Sequence, residues 1–212
     1  MLNLIKYNQV IFDCDGVILD SNKIKSEAFA TALMGEDQKL IDEFVHYHKE
    51  NGGISRFVKF KYFFEVIKKQ SNYKNDLNRV LKIYAELSLK GLLICEEIRG
   101  VREILKQLNQ SNVDCFVVSG GEQNEVRSVL LAREFSIYFQ DIYGSPVSKK
   151  EHLDKISPNN SLYFGDAKSD YVAANAFGMD FVYINGASEW EDGFDFCKEN
   201  HILTFDNFED LI

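Results

Sequence analysis

Asp13 and Asp15 stand two residues apart in Val10-Ile11-Phe12-Asp13-Cys14-Asp15-Gly16-Val17, directly after an apolar run and before a glycine that permits a tight turn. Two carboxylates so placed can divide labour, one attacking as a nucleophile or holding a cation while the other moves a proton. The same run is also compatible with an acidic loop after a strand, so the motif needs company.

Three other segments supply it. Ser119-Gly120-Gly121 follows the apolar run Asp114 to Val118 and precedes a helical pattern through Val126, Val129 and Leu130. A hydroxyl with backbone N–H groups at a helix start can hold phosphate oxygens, although Ser-Gly-Gly is equally an ordinary capped turn. Lys149, in Gly144-Ser145-Pro146-Val147-Ser148-Lys149-Lys150, lies between the aromatic stretch Tyr138 to Tyr143 and a helix expected from near Glu151. Its ammonium can neutralise a phosphate, or simply be solvated with Lys150. In Ser161-Leu162-Tyr163-Phe164-Gly165-Asp166-Ala167-Lys168-Ser169-Asp170, a carboxylate again follows an apolar strand, with a second four residues later. Asp166 and Asp170 suit a hard cation such as Mg2+, or alternatively an N-cap and a helix surface.

The elements that must position these groups are legible from periodicity. Short β-branched or aromatic runs at Gln9 to Phe12, Val113 to Val118, Ser161 to Phe164, Asp180 to Ile184 and Ile202 to Phe205 predict buried strands. Helical patterns such as Val101, Ile104, Leu105 and Leu108 separate them, so the fold class is α/β, a Rossmann-like parallel sheet between two helical layers. From about Asn22 to Leu93 the pattern is purely helical, with its sharpest break at Asn51-Gly52-Gly53. This predicts an α/β core of residues 1–19 and 94–212 interrupted by a helical domain of residues 20–93. Ligands of open α/β sheets bind beyond the carboxyl ends of strands, where all four chemical motifs fall.

Composition narrows the function. A net charge of −9 disfavours nucleic acid, whose phosphate backbone requires a cationic face. No apolar run is long enough for a membrane span, and Met1 to Phe12 lacks the pattern of a signal peptide. Cys14, Cys95, Cys115 and Cys197 form no CxxC pair and fit a reducing cytoplasm. His46 and His48 have no further His or Cys at the spacing a zinc site needs.

The order and contents of the motifs resemble the haloacid dehalogenase superfamily over essentially the whole chain. Asp13-Cys14-Asp15-Gly16-Val17 with Asp20-Ser21 is similar to its first motif, and Ser119, Lys149 and Gly165-Asp166 with Asp170 to the other three. The resemblance implies an enzyme that hydrolyses a small phosphorylated metabolite, with Asp13 as nucleophile and Asp15 as general acid and base. It further implies Mg2+ held by the Asp13 side chain, the Asp15 carbonyl and Asp166, with Asp170 orienting Lys149 and metal-bound water. The transferring phosphoryl group would lie among Asp13, Cys14, Asp15, Ser119, Gly120 and Lys149. Relatives that cleave carbon–halogen or carbon–phosphorus bonds lack an acid at the position of Asp15.

The helical insertion resembles the cap of the phosphoglycolate phosphatase and β-phosphoglucomutase group, in which Gly53 to Arg56 would be a specificity loop and Arg56 or Lys59 would meet an anionic leaving group. A β-phosphoglucomutase-like isomerase and a non-catalytic binding protein on the same fold are the alternatives. The expected state is a monomer or weak homodimer. Arg99-Gly100-Val101 departs from the group, whose members commonly carry Pro before this Gly at the return into the core.

Overall fold

A computed structural model describes residues 2–212. The first strand, β1 (Gln9–Phe12), is followed by a helical run: α1 (Asn22–Ala32), α2 (Gln38–Glu50), α3 (Arg56–Tyr62), a π-helical turn at Phe63–Ile67, and α4 (Lys74–Ile94). The chain then alternates through α5 (Val101–Gln110), β2 (Asp114–Glu122), α6 (Gln123–Ala132), β3 (Asp141–Ser145), α7 (Lys149–Ile156), β4 (Ser161–Gly165), α8 (Lys168–Ala176), β5 (Asp180–Ile184), α9 (Gly193–Glu199) and β6 (Leu203–Phe205).

The strands form one six-stranded sheet in the order β3-β2-β1-β4-β5-β6, and every neighbouring pair is parallel. The strand order reverses at β1, which has β2 on one side and β4 on the other. Such a reversal opens a crevice at the carboxyl end of the central strands. Alternation along β1 sends Val10 and Phe12 into a core with Leu105, Val117 and Phe164, and Ile11 into a second core with Val118, Leu153 and Tyr163. Burial on both faces is what a doubly covered parallel strand requires.

Local chemistry corrects three expectations. The strand expected to end at Val118 runs on to Glu122, with a register irregularity against β3 across Ser119-Gly120-Gly121. The following helix is therefore capped by Glu122, whose carboxylate accepts from the amides of Asn124 (3.1 Å) and Glu125 (2.8 Å), while Ser119 Oγ accepts from Gly121 N at 3.1 Å. The helix expected near Glu151 begins at Lys149, because Ser148 and Glu151 form a reciprocal capping box. The helical run breaks not only at Asn51-Gly52-Gly53 but also at Gly35, where φ is +101°, and near Lys69, where φ is +53°.

The helices of residues 22–94 carry their own aromatic cluster, built from Phe29, Phe44, Phe60, Phe63, Phe64 and Tyr84. Phe60 is fully buried, with its ring centroid 5.1 Å from Phe29, 5.5 Å from Phe44 and 5.8 Å from Tyr84. At the return into the sheet, Gly100 takes φ +78°, and a Cβ there would lie 2.6 Å from Glu209 N, so glycine is required whether or not proline precedes it. The cysteines Cys14, Cys95, Cys115 and Cys197 are free and buried. No helix among the described residues is long and apolar enough to cross a membrane.

Truncation of a fully enclosed phenylalanine removes transfer free energy and leaves a cavity. Phe60→Ala should therefore lower stability by about 3–5 kcal/mol in urea unfolding. A loss below about 1 kcal/mol would show that the aromatic cluster is loosely packed.

Candidate active site

At the end of β1, the Asp13 amide donates to Phe164 O at 2.9 Å, joining β1 to β4 at the rim. The next residues turn tightly, with the amides of Ile18 and Leu19 donating to Cys14 O at 2.9 and 3.0 Å. Gly16 sits at φ +73°, where a Cβ would fall 2.4 Å from Asp166 Oδ2. Only glycine lets this loop approach the carboxylate beyond β4 so closely. Asp13, Asp166 and Asp170 each place a carboxylate oxygen within 4.8 Å of the others, and all three are buried.

Against these three carboxylates stands one ammonium. Lys149 Nζ is 3.2 Å from Asp13 Oδ2 and bonds Asp170 Oδ1. Asp170 is fixed further by the Tyr163 hydroxyl at 3.1 Å and by the amides of Asp166 and Ala167 at 3.3 and 3.1 Å. Asn22 Nδ2 donates to Asp166 Oδ2 at 2.6 Å and to Ala187 O at 2.9 Å. Burial raises the Asp13 carboxyl to about 7, with Lys149 pulling down and Asp170 and Asp15 pushing up. Burial likewise lifts Asp166 well above the usual carboxylate range, reinforced by Asp170 and Asp13.

Asp13 Oδ1 is buried and has no hydrogen-bond partner among the described residues. An orphaned carboxylate oxygen among converging, under-compensated carboxylates fits a hard divalent cation, and an all-oxygen donor set suits Mg2+. Asp13 and Asp166 are the residues that can hold it, while Asp170 is already engaged by Lys149.

Asp15 has a different environment. Burial opposes its charge, but Lys25 and Ser21 outweigh that and hold the carboxyl below its ordinary value. Lys25 Nζ pairs with Asp15 Oδ2, and Ser21 Oγ donates to Asp15 Oδ1 at 2.6 Å. Asp13, Asp15 and Asp166 share a cavity of about 50 Å3 with Lys25, Arg56, Lys59 and Gly120. Ser119 lies beside it, lining a neighbouring recess with Lys149 and Gly120. The Cys14 side chain belongs to the core, so only its backbone can serve a phosphate.

The two cap candidates are both buried and both partnered. The Arg56 guanidinium grips Glu125 of α6 through two nitrogens and stacks over Tyr84 at 4.7 Å. Lys59 Nζ lies 2.6 Å from His48 Nδ1 and donates to His48 O at 3.1 Å. His46 is exposed and 3.6 Å from Glu50. Sequence reasoning missed Asn22, Lys25 and Glu125 and weighed His48 only as a zinc ligand; all four sit on helices whose periodicity says only that a face is buried.

A doubly wound α/β protein with carboxylates converging where its strand order reverses is the class these features define. The sequence agrees, since a match to the haloacid dehalogenase-like hydrolase family extends over residues 10–184, and the chain belongs to that family. Phosphoglycolate phosphatase 1 of Pseudomonas aeruginosa is 23% identical over 96% of this chain and 78% of its own length. β-Phosphoglucomutase from Clostridium difficile superposes with a TM-score of 0.73 at 18% identity, covering 97% of this chain and 93% of that one. The magnesium-bound structure of YfnB from Bacillus subtilis gives a TM-score of 0.67 at 18% identity, covering 97% of each chain.

A carboxyl whose pKa rises on folding costs stability as pH climbs from the ordinary carboxylate range, near 4, towards its folded value of about 7. In EDTA the melting temperature should accordingly fall between about pH 5 and pH 8. Mg2+ should restore several degrees at pH 8 and less at pH 5, and Asp13→Asn should melt higher in EDTA and lose most of that increment. An equal Mg2+ effect at both pH values, or one untouched by Asp13→Asn, would contradict this reading of the carboxylates.

Proposed function

We propose that this chain is a Mg2+-dependent phosphatase acting on small phosphomonoesters, with Asp13 as covalent nucleophile and Asp15 as general acid and base. The observation that carries the proposal is the state of Asp13: one oxygen is held by Lys149 and the other is buried without a partner. Phosphatase chemistry is supported by the likeness to phosphoglycolate phosphatase 1 across nearly the whole chain.

In the first step an Asp13 oxygen forms a bond to phosphorus as the ester P–O bond breaks, and Asp15 gives its proton to the departing oxygen. In the second, water attacks the aspartyl phosphate, its proton passes to Asp15, and inorganic phosphate leaves with Asp13 regenerated. The pairing of Asp15 with Lys25 stabilises the ionised form that activates water. Donation of the first proton requires Lys25 to release Asp15, and the incoming phosphate is the anion that can draw it away. Lys149 and Ser119, with the amides of Cys14 and Gly120, hold phosphoryl oxygens, and Asp170 orients Lys149. Bound Mg2+ would screen the repulsion between Asp13 and the phosphoryl group, held by Asp13, the Asp15 carbonyl and Asp166.

Residues 1–19 and 94–212 form the catalytic core in this reading, and residues 20–93 a cap over it. Asp13, Asp15 and Asp166 share their cavity with Lys25, Arg56 and Lys59, so a cap that opens and recloses would bring the leaving group against these side chains.

Phosphate release from a panel of phosphomonoesters tests the proposal. It should require Mg2+, stop in EDTA, and fall about 10^3-fold or more in Asp13→Asn. Release that persists in EDTA or in Asp13→Asn would refute it. Conversion of a sugar phosphate to its isomer without phosphate release would instead favour a mutase.

A further inference from the structure

His48 lies in the cap wall of the cavity that contains Asp13 and Asp15, on the last turn of α2. It is 8% exposed, and its ring packs on Phe29 at 4.4 Å between centroids. One ring nitrogen, Nδ1, is engaged by Lys59 at 2.6 Å, while the other, Nε2, is buried with no partner. Buried polar atoms left unsatisfied are rare in folded proteins, and each costs on the order of 1–3 kcal/mol. His48 lines the cavity, and a buried ring nitrogen with no partner on such a residue is explained if a ligand engages it.

The pairing with Lys59 sets the polarity of that position. Lys59 Nζ also donates to His48 O at 3.1 Å, so its location is fixed from both sides of the same residue. With the ammonium donating to Nδ1, the ring proton resides on Nε2, which becomes a donor. Three buried cations line the cavity. Lys25 is paired with Asp15 and Arg56 with Glu125, but among the described residues Lys59 has no carboxylate at ion-pair distance. Burial, followed by repulsion from Lys25, lowers Lys59 to about 7, and an arriving anion would restore its full charge.

We propose that His48, oriented by Lys59, is a specificity residue that donates from Nε2 to an acceptor oxygen on the leaving-group side of the substrate. The proposal rests on the phosphatase reading and deepens it, by assigning this wall to phosphomonoesters whose alcohol carries a carboxylate or hydroxyl. Arg56, although on the specificity loop, is held by Glu125 and serves to join cap to core.

The test compares phenyl phosphate, whose leaving group has no acceptor beyond the ester oxygen, with the phosphate ester of a short hydroxy acid. Steady-state constants are measured with Mg2+ for the native protein, His48→Asn and His48→Gln. Asparagine can still engage Lys59 at the Nδ1 position but cannot reach the place of Nε2, whereas glutamine presents a donor there. His48→Asn should raise KM for the hydroxy-acid ester about tenfold with kcat nearly unchanged, and leave phenyl phosphate unaffected, while His48→Gln recovers most of the loss.

An unchanged KM for the hydroxy-acid ester, or an equal loss on both esters, overturns the assignment. If the native protein hydrolyses neither of these two esters, the wider panel decides the phosphatase reading separately. Calorimetric binding of both esters to Asp13→Asn, with and without His48→Asn, then still decides the role of His48: a selective loss for the hydroxy-acid ester supports it, and no selective loss refutes it.

Discussion

The structure turns on an excess of buried negative charge at one edge of the sheet. Asp13, Asp166 and Asp170 meet there with Lys149 as the cation bonded among them. Isolated carboxylates in such a place would be untenable, and their company is what makes them useful. Asp170 is saturated by Lys149, Tyr163 and two amides, and it aims the ammonium at Asp13. Asp13 and Asp166 are left under-compensated, and that asymmetry separates groups that orient from groups that bind.

The helices over this edge meet it through specific polar contacts as well as through Leu92 and Ile24, which pack with the apolar core of the sheet. The Gly52-Gly53 turn lies against the core, with Gly52 O accepting from Ser169 Oγ at 2.8 Å. A Cβ on Gly120 would fall 2.1 Å from Gly53 O, so the approach is possible only between glycines. Around the cavity, Arg56 pairs with Glu125 and Lys49 lies 3.4 Å from Glu189. The Arg56–Glu125 pair is buried, and such a pair sets alignment more than it adds stability, because desolvation offsets much of its attraction.

Much of this arrangement is legible in the amino-acid sequence, for a physical reason. Asp13 and Asp166 each follow directly on a short apolar run that reads as a strand, with Asp170 four residues further on and Lys149 beyond an aromatic stretch, and parallel topology brings strand ends to one edge. The helical texture of residues 22–94 is also legible, since most apolar residues there recur at helical spacing. Other features depend on contacts between remote segments. Asn22 meets Asp166 across 144 residues, and Ser26 meets Glu189 across 163. Helical periodicity marks Lys25 and His48 as inward-facing without saying what lies opposite. The capping of α6 by Glu122 was hidden for a different reason: the extended backbone continues through Ser119-Gly120-Gly121, residues whose local preferences announce a turn.

The account depends on a divalent cation being the missing charge at the rim, and crystals grown with Mn2+ in place of Mg2+ test that directly. Anomalous scattering should locate one ion within coordination distance of the Asp13 and Asp166 carboxylates, with Lys149 still bonded to Asp170. A map with no ion there, or an ion bound elsewhere while Asp13 and Asp166 remain apart, would contradict it.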